Sequence, residues 1–584
     1  CFVCTTVFAG TSSPLRLQAE ADEIVSLNKS FSKDESFVYT VRARFEDGQA
    51  AGIAFGVTED GAFVFNIDRI ENRVKLIYFA NVENGYVPTE LYSDRYIGNE
   101  NSTESELTRV QSRVAAKAEF YLKVAVSGGE EPSVKCYADD ILRFDYDGAI
   151  LLNGLSDEIS YEGGAIGVNV FNAAVQFGEI YYGESDFTRY TEIYRNQYHY
   201  SPFSGWNNDP NGLVFDGEYY HLYYQTQPFQ KTWGDMYWGH ARSKDLVAWE
   251  NLPIALLPTD GNYMWSGSAV IDRKNESGLF DSLMTGNYDG SKNIVIYYTV
   301  DGGPNQTQWM AYSLDGGISF IKHKMIIDGA TVSDGITFRD PKVFLIEDGV
   351  WGLIVGGGQF RFYVSEDLLN WSLAGEMPIY AECPDAYRIT ADSAEKWVIN
   401  IGGIAYIVGD LTYENGKIKF VDQYGVEITS PSAKAEDIKV FDLDNANGSY
   451  ATQTFYIDDE RSAYNGKAVG ISWFAGQPGY QSPMDAHEWV SGEQAAGPDT
   501  GAEANIRSIW NGGFTFPVEY SLKRVNGVYL LRQTPVNETE KLSETVYSVT
   551  DKTVSAADGN ILEGVRGNAL KITANIATAA EKFG

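Results

Sequence analysis

A chain of 584 residues, 44% hydrophobic and 21% charged, is long enough for two or three domains and has the balance of a globular protein. Its formal net charge of −35 repels phosphate backbones and anionic lipid. Together with the lack of any apolar run of about eighteen residues, it argues against nucleic-acid partners and membrane insertion; it fits a neutral substrate, or serves solubility alone.

The first eleven residues, Cys1-Phe2-Val3-Cys4-Thr5-Thr6-Val7-Phe8-Ala9-Gly10 and Thr11, are apolar and place Val7 and Ala9 in the small-residue arrangement that a signal peptidase accepts. They read as the remnant of a secretory segment, with a buried first strand as the competing reading, and make the expected location extracellular or cell-surface. Residues 12–186 carry alternating strands, such as Phe37 to Ala43, Phe63 to Ile67, Lys75 to Phe79 and Gly167 to Phe171, in the pattern of a two-sheet sandwich. Only Glu104 to Tyr121 has helical periodicity. The tyrosine-rich segment Ser185 to Tyr198 reads as a linker.

From His199 to about Phe474 roughly thirteen short strands follow, among them His221 to Gln225, Ser268 to Ile271, Ile294 to Val300, Val343 to Ile346 and Val398 to Ile401. Regular short strands with glycine turns suit a propeller over residues 187–516, and a large sandwich is the alternative. Residues 517–584 read as the start of another β-domain, cut short. The whole chain is expected to be all-β. The cysteines, Cys1, Cys4, Cys136 and Cys383, are too scattered for a zinc cluster or a disulfide framework. The histidines, His199, His221, His240, His323 and His487, have no metal-ligand spacing, so no metal site is expected.

Three short clusters carry candidate chemistry. In Trp206-Asn207-Asn208-Asp209-Pro210-Asn211-Gly212, proline and glycine impose a turn that holds Asp209 at a rim beside an aromatic ring, where a carboxylate can attack; the same residues are also ordinary turn formers. In Phe338-Arg339-Asp340-Pro341, the arginine would keep Asp340 ionised and able to grip sugar hydroxyls, or the two form a surface ion pair. In Ala381-Glu382-Cys383-Pro384-Asp385, Glu382 sits between Tyr380 and Tyr387, a neighbourhood suited to desolvating it, or the segment is a loop. Glycosidic cleavage needs one protonated and one ionised carboxyl group, and spacing along the chain does not distinguish retention from inversion.

In this order the three clusters resemble glycoside hydrolase family 32, the group of invertases, inulinases and levanases. The likeness runs from Tyr194-Arg195-Asn196-Gln197-Tyr198-His199-Tyr200-Ser201-Pro202 through Tyr223-Tyr224-Gln225, Trp238-Gly239-His240-Ala241, Ser243-Lys244-Asp245-Leu246 and Trp265-Ser266-Gly267-Ser268-Ala269. It continues through Ala311-Tyr312-Ser313-Leu314-Asp315-Gly316-Gly317 to Tyr450-Ala451-Thr452-Gln453. The resemblance implies a five-bladed β-propeller followed by a β-sandwich, and a retaining double displacement on β-fructofuranosidic bonds without cofactor. It implies Asp209 as nucleophile, Glu382 as acid/base and Asp340 as the carboxylate that binds fructose hydroxyls and steadies the transition state. It places Asn208, Gln225, Trp233, Ser266, Arg339 and Trp473 around the fructosyl unit. The implied partner is a fructose-containing oligo- or polysaccharide.

Asn207 stands where the family usually has an apolar residue and Trp265 where it often has Phe, which leaves sucrose, inulin and levan open. Phe65-Asn66-Ile67-Asp68-Arg69 and the glycine-rich end of the first domain are similar to lectin-like modules of some levanases and inulinases. That domain is expected to be a fructan-binding module or a buttress. A fructosyltransferase or cyclising enzyme would use the same site, and a fructan-binding protein without catalysis is the alternative of another class.

Overall fold

The computed structural model describes residues 14–573 apart from 83–84, 154, 156–158, 184–194, 197, 260, 333–336, 444–447, 475–508, 546, 554, 556–559 and 567–570. The expected secretory remnant, with Cys1 and Cys4, and most of the expected linker lie outside the described residues.

The first unit is built on two strands of 21 residues, Phe37–Val57 and Gly163–Gly183, that run antiparallel along most of their length. The first half of Phe37–Val57 pairs with Glu119–Ser127 and its second half with Gly61–Asp68, so the same strand passes from one layer to the other. Between the layers lies one apolar core that includes Tyr39, Val41, Ile53, Phe55, Phe65, Leu76, Leu122, Val124, Val168 and Val170. Alternating Val, Ile, Phe and Tyr supply it, each fully buried large side chain contributing about 1.5–3 kcal/mol.

The one α-helix among the described residues, α1, spans Glu104–Ala116 and starts at a capping box in which Thr103 and Glu106 satisfy each other's backbone N–H. It ends before Tyr121, short of the expected limit. Phe120-Tyr121-Leu122 belongs to the strand Glu119–Ser127, where alternate side chains enter the core.

The described residues of 205–535 form five antiparallel four-strand sets in chain order, the first continuous with the sandwich sheet and the fourth extended by the short strand Phe441–Asp442. Their innermost strands are Gly205–Phe215, Tyr263–Ile271, Arg339–Glu347, Pro384–Ala391 and Ser449–Thr454. Each innermost strand packs on the next, and the fifth packs back on the first. This ring of sheets is a five-bladed propeller, which sets aside the large-sandwich alternative. Backbone bonds also fasten the ring: Tyr456 N–H donates to the Leu213 carbonyl and Phe215 N–H to the Tyr456 carbonyl.

The propeller extends past residue 516. Val518–Val525 and Val528–Pro535, expected to open another domain, pair as outer strands of the fifth sheet, Val518–Val525 against Ala468–Phe474. Tyr520 and Tyr529 bury into an apolar cluster shared with the fourth blade, and that burial draws the hairpin into the ring.

The two units are joined at Asn251, on the outer strand Glu250–Leu256 of the first blade, which pairs in parallel with Ile141 at the end of the sandwich sheet. Tyr237, Ile254 and Leu257 of the first blade belong to the sandwich core cluster.

Candidate active site

Asp209, Ser266, Asp340 and Glu382 are all supplied by the leading ends of innermost strands or by the residues just before them. On four of the five innermost strands the pairing register slips at the site: between Asn207 and Pro210, Trp265 and Gly267, Arg339 and Lys342, and Tyr450 and Gln453. Such bulges turn side chains that a regular strand would direct into neighbouring blades toward the axis instead. Asp340, Cys383 and Ala451 have left-handed backbone, with φ of 64°, 48° and 52°. Non-glycine residues hold that conformation at a cost, which here is concentrated at the site.

Polar crosslinks between blades hold the bulged ends in place. Gly267 N–H donates to Asn211 Oδ1 (3.2 Å) and Gln453 Nε2 to the Gly267 carbonyl (2.7 Å). Ser268 Oγ donates to the Pro341 carbonyl (2.8 Å) and accepts from Val343 N–H (2.9 Å). Lys342, buried, donates to the Thr454 carbonyl (2.6 Å) and lies 3.2 Å from Asp385. Asp340 N–H donates to Thr299 Oγ1 (3.0 Å).

Asp209 accepts from Ser266 Oγ at Oδ2 (2.6 Å) and from Asn208 Nδ2 at Oδ1 (3.2 Å). Asn208 is itself oriented by Trp206 Nε1 (2.9 Å). Burial raises its pKa above the usual carboxylate range, opposed by the hydrogen bonds from Ser266 and Asn208. Asp340 is 6% exposed. Its Oδ2 accepts from Cys383 N–H (2.9 Å), and the Cys383 thiol lies 3.5 Å from that oxygen and 3.6 Å from Asp209 Oδ2.

Arg339 was expected to keep Asp340 ionised. Its Nε stands 3.9 Å away, and burial outweighs it, pushing Asp340 up to about 7. The guanidinium instead bonds Glu382 Oε1, while Tyr450 OH donates to Glu382 Oε2 (3.1 Å).

The expected enclosure of Glu382 by two tyrosines is not what forms. Its side chain is 44% exposed, Tyr380 is 69% exposed, and Tyr387 packs against Tyr520. The site therefore has two inward carboxylates and a third, gripped from two sides, that faces solvent.

Of the remaining expected residues, Asn208, Ser266 and Arg339 touch the carboxylates directly. Trp233 stands at the rim, 38% exposed, with its ring 6.0 Å from that of Trp265. Trp265 in turn lies 5.8 Å from the Arg339 guanidinium. Gln225 is buried and uses its amide to reach the Met264 carbonyl (3.0 Å), tying the first blade to the second. Trp473 is buried in the cluster between the first and fifth blades, edge-on to Trp206 (5.9 Å), and so bears on the site through Trp206 and Asn208.

Tyr450 lay within a quoted family motif with no role given to it. Thr299, and Gln306, which accepts from Arg339 Nη1 (3.3 Å), lie more than thirty positions from the site residues they touch and gave no signal in the sequence. Asn207 is fully buried, and neither polar atom of its side chain has a hydrogen-bond partner among the described residues.

Asp209, Asp340 and Cys383 bring three ligand-type atoms within 4.8 Å of one another. Both carboxylates already accept hydrogen bonds there, and burial keeps the thiol protonated. The set therefore fits hydroxyl groups better than a cation.

The family model for the glycosyl hydrolases family 32 N-terminal domain matches residues 199–495. A fructan beta-fructosidase of Streptococcus mutans is 33% identical over 67% of this chain and 25% of its own length. A levanase of Bacillus subtilis is 32% identical over 68% of this chain and 56% of its own length. An extracellular exo-inulinase of Meyerozyma guilliermondii is 34% identical over 53% and 59%. The chain thus spans from a quarter to about three fifths of the curated relatives it matches. A family model covering half of the chain, matched where the three carboxylates meet, shows that this protein belongs to glycosyl hydrolase family 32.

Proposed function

We propose that the chain is a retaining glycoside hydrolase acting on β-fructofuranosidic bonds of fructans, sucrose or both. Asp209 attacks the anomeric carbon of a fructosyl unit while Glu382 gives a proton to the departing glycosidic oxygen. Water, deprotonated by Glu382, then breaks the resulting ester and returns Asp209 as carboxylate. The observation that carries this reading is the unequal placement of the carboxyl groups. Asp209 is fixed from Ser266 and Asn208 at the inner end, whereas Glu382 meets solvent, where a leaving group departs and water enters. Asp340, lifted to about 7, can donate to one sugar hydroxyl and accept from another at neutral pH.

The relatives' names support the substrate class, and the one named extracellular supports secretion. Among the described residues no helix is long and apolar enough to cross a membrane. Residues 12–186 we assign as a domain that buttresses the propeller, on the strength of the shared sheet and core.

The test is sugar release from sucrose, inulin and levan by the wild type beside Asp209→Ala and Glu382→Ala, with products sorted by chain length and the first-formed anomer read by NMR. Free fructose with retained configuration, from the wild type alone, is the expected result. Longer or cyclic products would make the enzyme a transferase, and binding of fructan without any release would make it a binding protein.

A further inference from the structure

Helix α1 of the sandwich reaches the rim of the funnel. Arg109 and Arg113, one turn apart on the same face, converge on Asp235 Oδ2, Arg109 at 2.9 Å. Asp235 belongs to the segment 228–236 that links two strands of the first blade and carries Trp233. The same segment is held by Arg113 over the Phe229 ring (5.6 Å), by Gln227 Nε2 on the Asp235 carbonyl (2.9 Å) and by Asn511 Nδ2 on the Lys231 carbonyl (2.9 Å). From Trp233 ring contact passes to Trp265, and from Trp265 to Arg339, which bonds Glu382.

A carboxylate shared by two guanidiniums is geometrically demanding: two planar forks must meet one oxygen, and loss of the acid leaves two like charges facing each other. That is more than a buttress needs. The outer strands and the core already join the domains.

We propose that α1 is a positioning element of the active site: by clamping Asp235, Arg109 and Arg113 set Trp233 at the rim, and the N-terminal domain thereby governs how tightly sugar is held. The proposal rests on the fructoside reading above, since Trp233 matters only if sugar enters this funnel. Arg109, Arg113 and Asp235 act through Trp233, so their loss weakens binding of substrate and transition state alike. The chemical step itself is spared.

The experiment is steady-state kinetics on sucrose and inulin for the wild type, Asp235→Asn, Arg109→Met/Arg113→Met, Arg109→Lys/Arg113→Lys and Asn101→Ala, with thermal unfolding of each. Asn101 lies at the same domain interface, bonded to Ser319 Oγ (2.9 Å), and does not touch the Trp233 segment. We expect KM to rise about tenfold in Asp235→Asn and in the Met pair, with kcat within about twofold. The Lys pair should fall between these and the wild type, and Asn101→Ala should keep wild-type kinetics. The Lys pair serves as the test if Asp235→Asn fails to fold.

A folded Asp235→Asn or Met pair with wild-type KM would overturn the proposal, as would Asn101→Ala raising KM equally. If the wild type turns over none of sucrose, inulin and levan, the proposed reaction fails by itself. Tryptophan fluorescence titration with inulin then decides the clamp on the same variants: about tenfold weaker binding supports it, and unchanged binding overturns it.

Discussion

The interior of the N-terminal sandwich is mostly apolar, with Val, Leu, Ile, Phe and Tyr side chains from both layers closing on each other beside buried polar residues such as Asn66, Asp139 and Arg143. The axis of the propeller is lined by Asn211, Ser268, Asp340, Lys342, Asp385 and Gln453, every one buried. Packing specifies most of the first interior, so its apolar positions tolerate apolar side chains of matching volume. The second is specified by partners: each bond across the axis ties one blade to another, and a missing partner leaves a buried polar group unsatisfied. Stability and chemistry are thus drawn from different places in one chain.

The sharpest way to break that division is at Asp209. Asp209→Asn keeps the shape and removes the proposed nucleophile, and kcat is expected to fall by about 10⁴-fold or more with the melting temperature nearly unchanged. A marked loss of stability would show that the carboxylate holds the axis together. Leu122→Ala in the sandwich should do the reverse, costing about 2–5 kcal/mol in denaturant unfolding while leaving kcat at low temperature intact. Reduced kcat in the folded variant would mean that the sandwich core acts on the site.

Asp340 sharpens the comparison through pH. Its folded value of about 7 lies above the unfolded value, so the folded chain holds the proton more tightly. The stability this provides is fully present below about pH 4 and is lost as pH rises toward 7. Asp340→Asn cannot ionise, so its stability relative to the wild type should grow across that interval, by about 3–4 kcal/mol. A difference that stays flat between pH 4 and 8 would count against a buried carboxyl with a raised value.

The smallest effect is expected at Asn207, the buried amide beside the site with no partner among the described residues. Asn207→Leu should stabilise by about 1 kcal/mol in thermal unfolding, and destabilisation would reveal a bond to that amide.

Much of this was legible in the residues. Proline and glycine beside Asp209, Asp340 and Glu382 signal turns that bring carboxylates to strand ends, and strand spacing suggested a propeller. Which strands pair was less legible. The hairpin 518–535 reads like any other, and only its buried Tyr520 and Tyr529 show where it belongs. The bulges at 208–209, 266, 340–341 and 451–452 could not be read, because a register slip exists only relative to a partner strand. For the same reason Arg339 was matched with its neighbour in sequence, when its short bond crosses to Glu382. The clamp on Asp235 joins residues more than a hundred positions apart and has no local signature.

The parallel pairing of Ile141 with Asn251 has a consequence for solubility. The strands Ile141–Arg143 and Glu250–Leu256 are where the sandwich strands and the first blade meet in one continuous sheet, and an open strand edge is a template on which other chains can add. Here the two edges meet at the pair Ile141 and Asn251, with Glu250 placed between Arg242 (3.1 Å) and Lys135 (3.8 Å) at the seam. A propeller cut free of its N-terminal domain would carry that edge bare, and would be expected to self-associate through it before losing its fold.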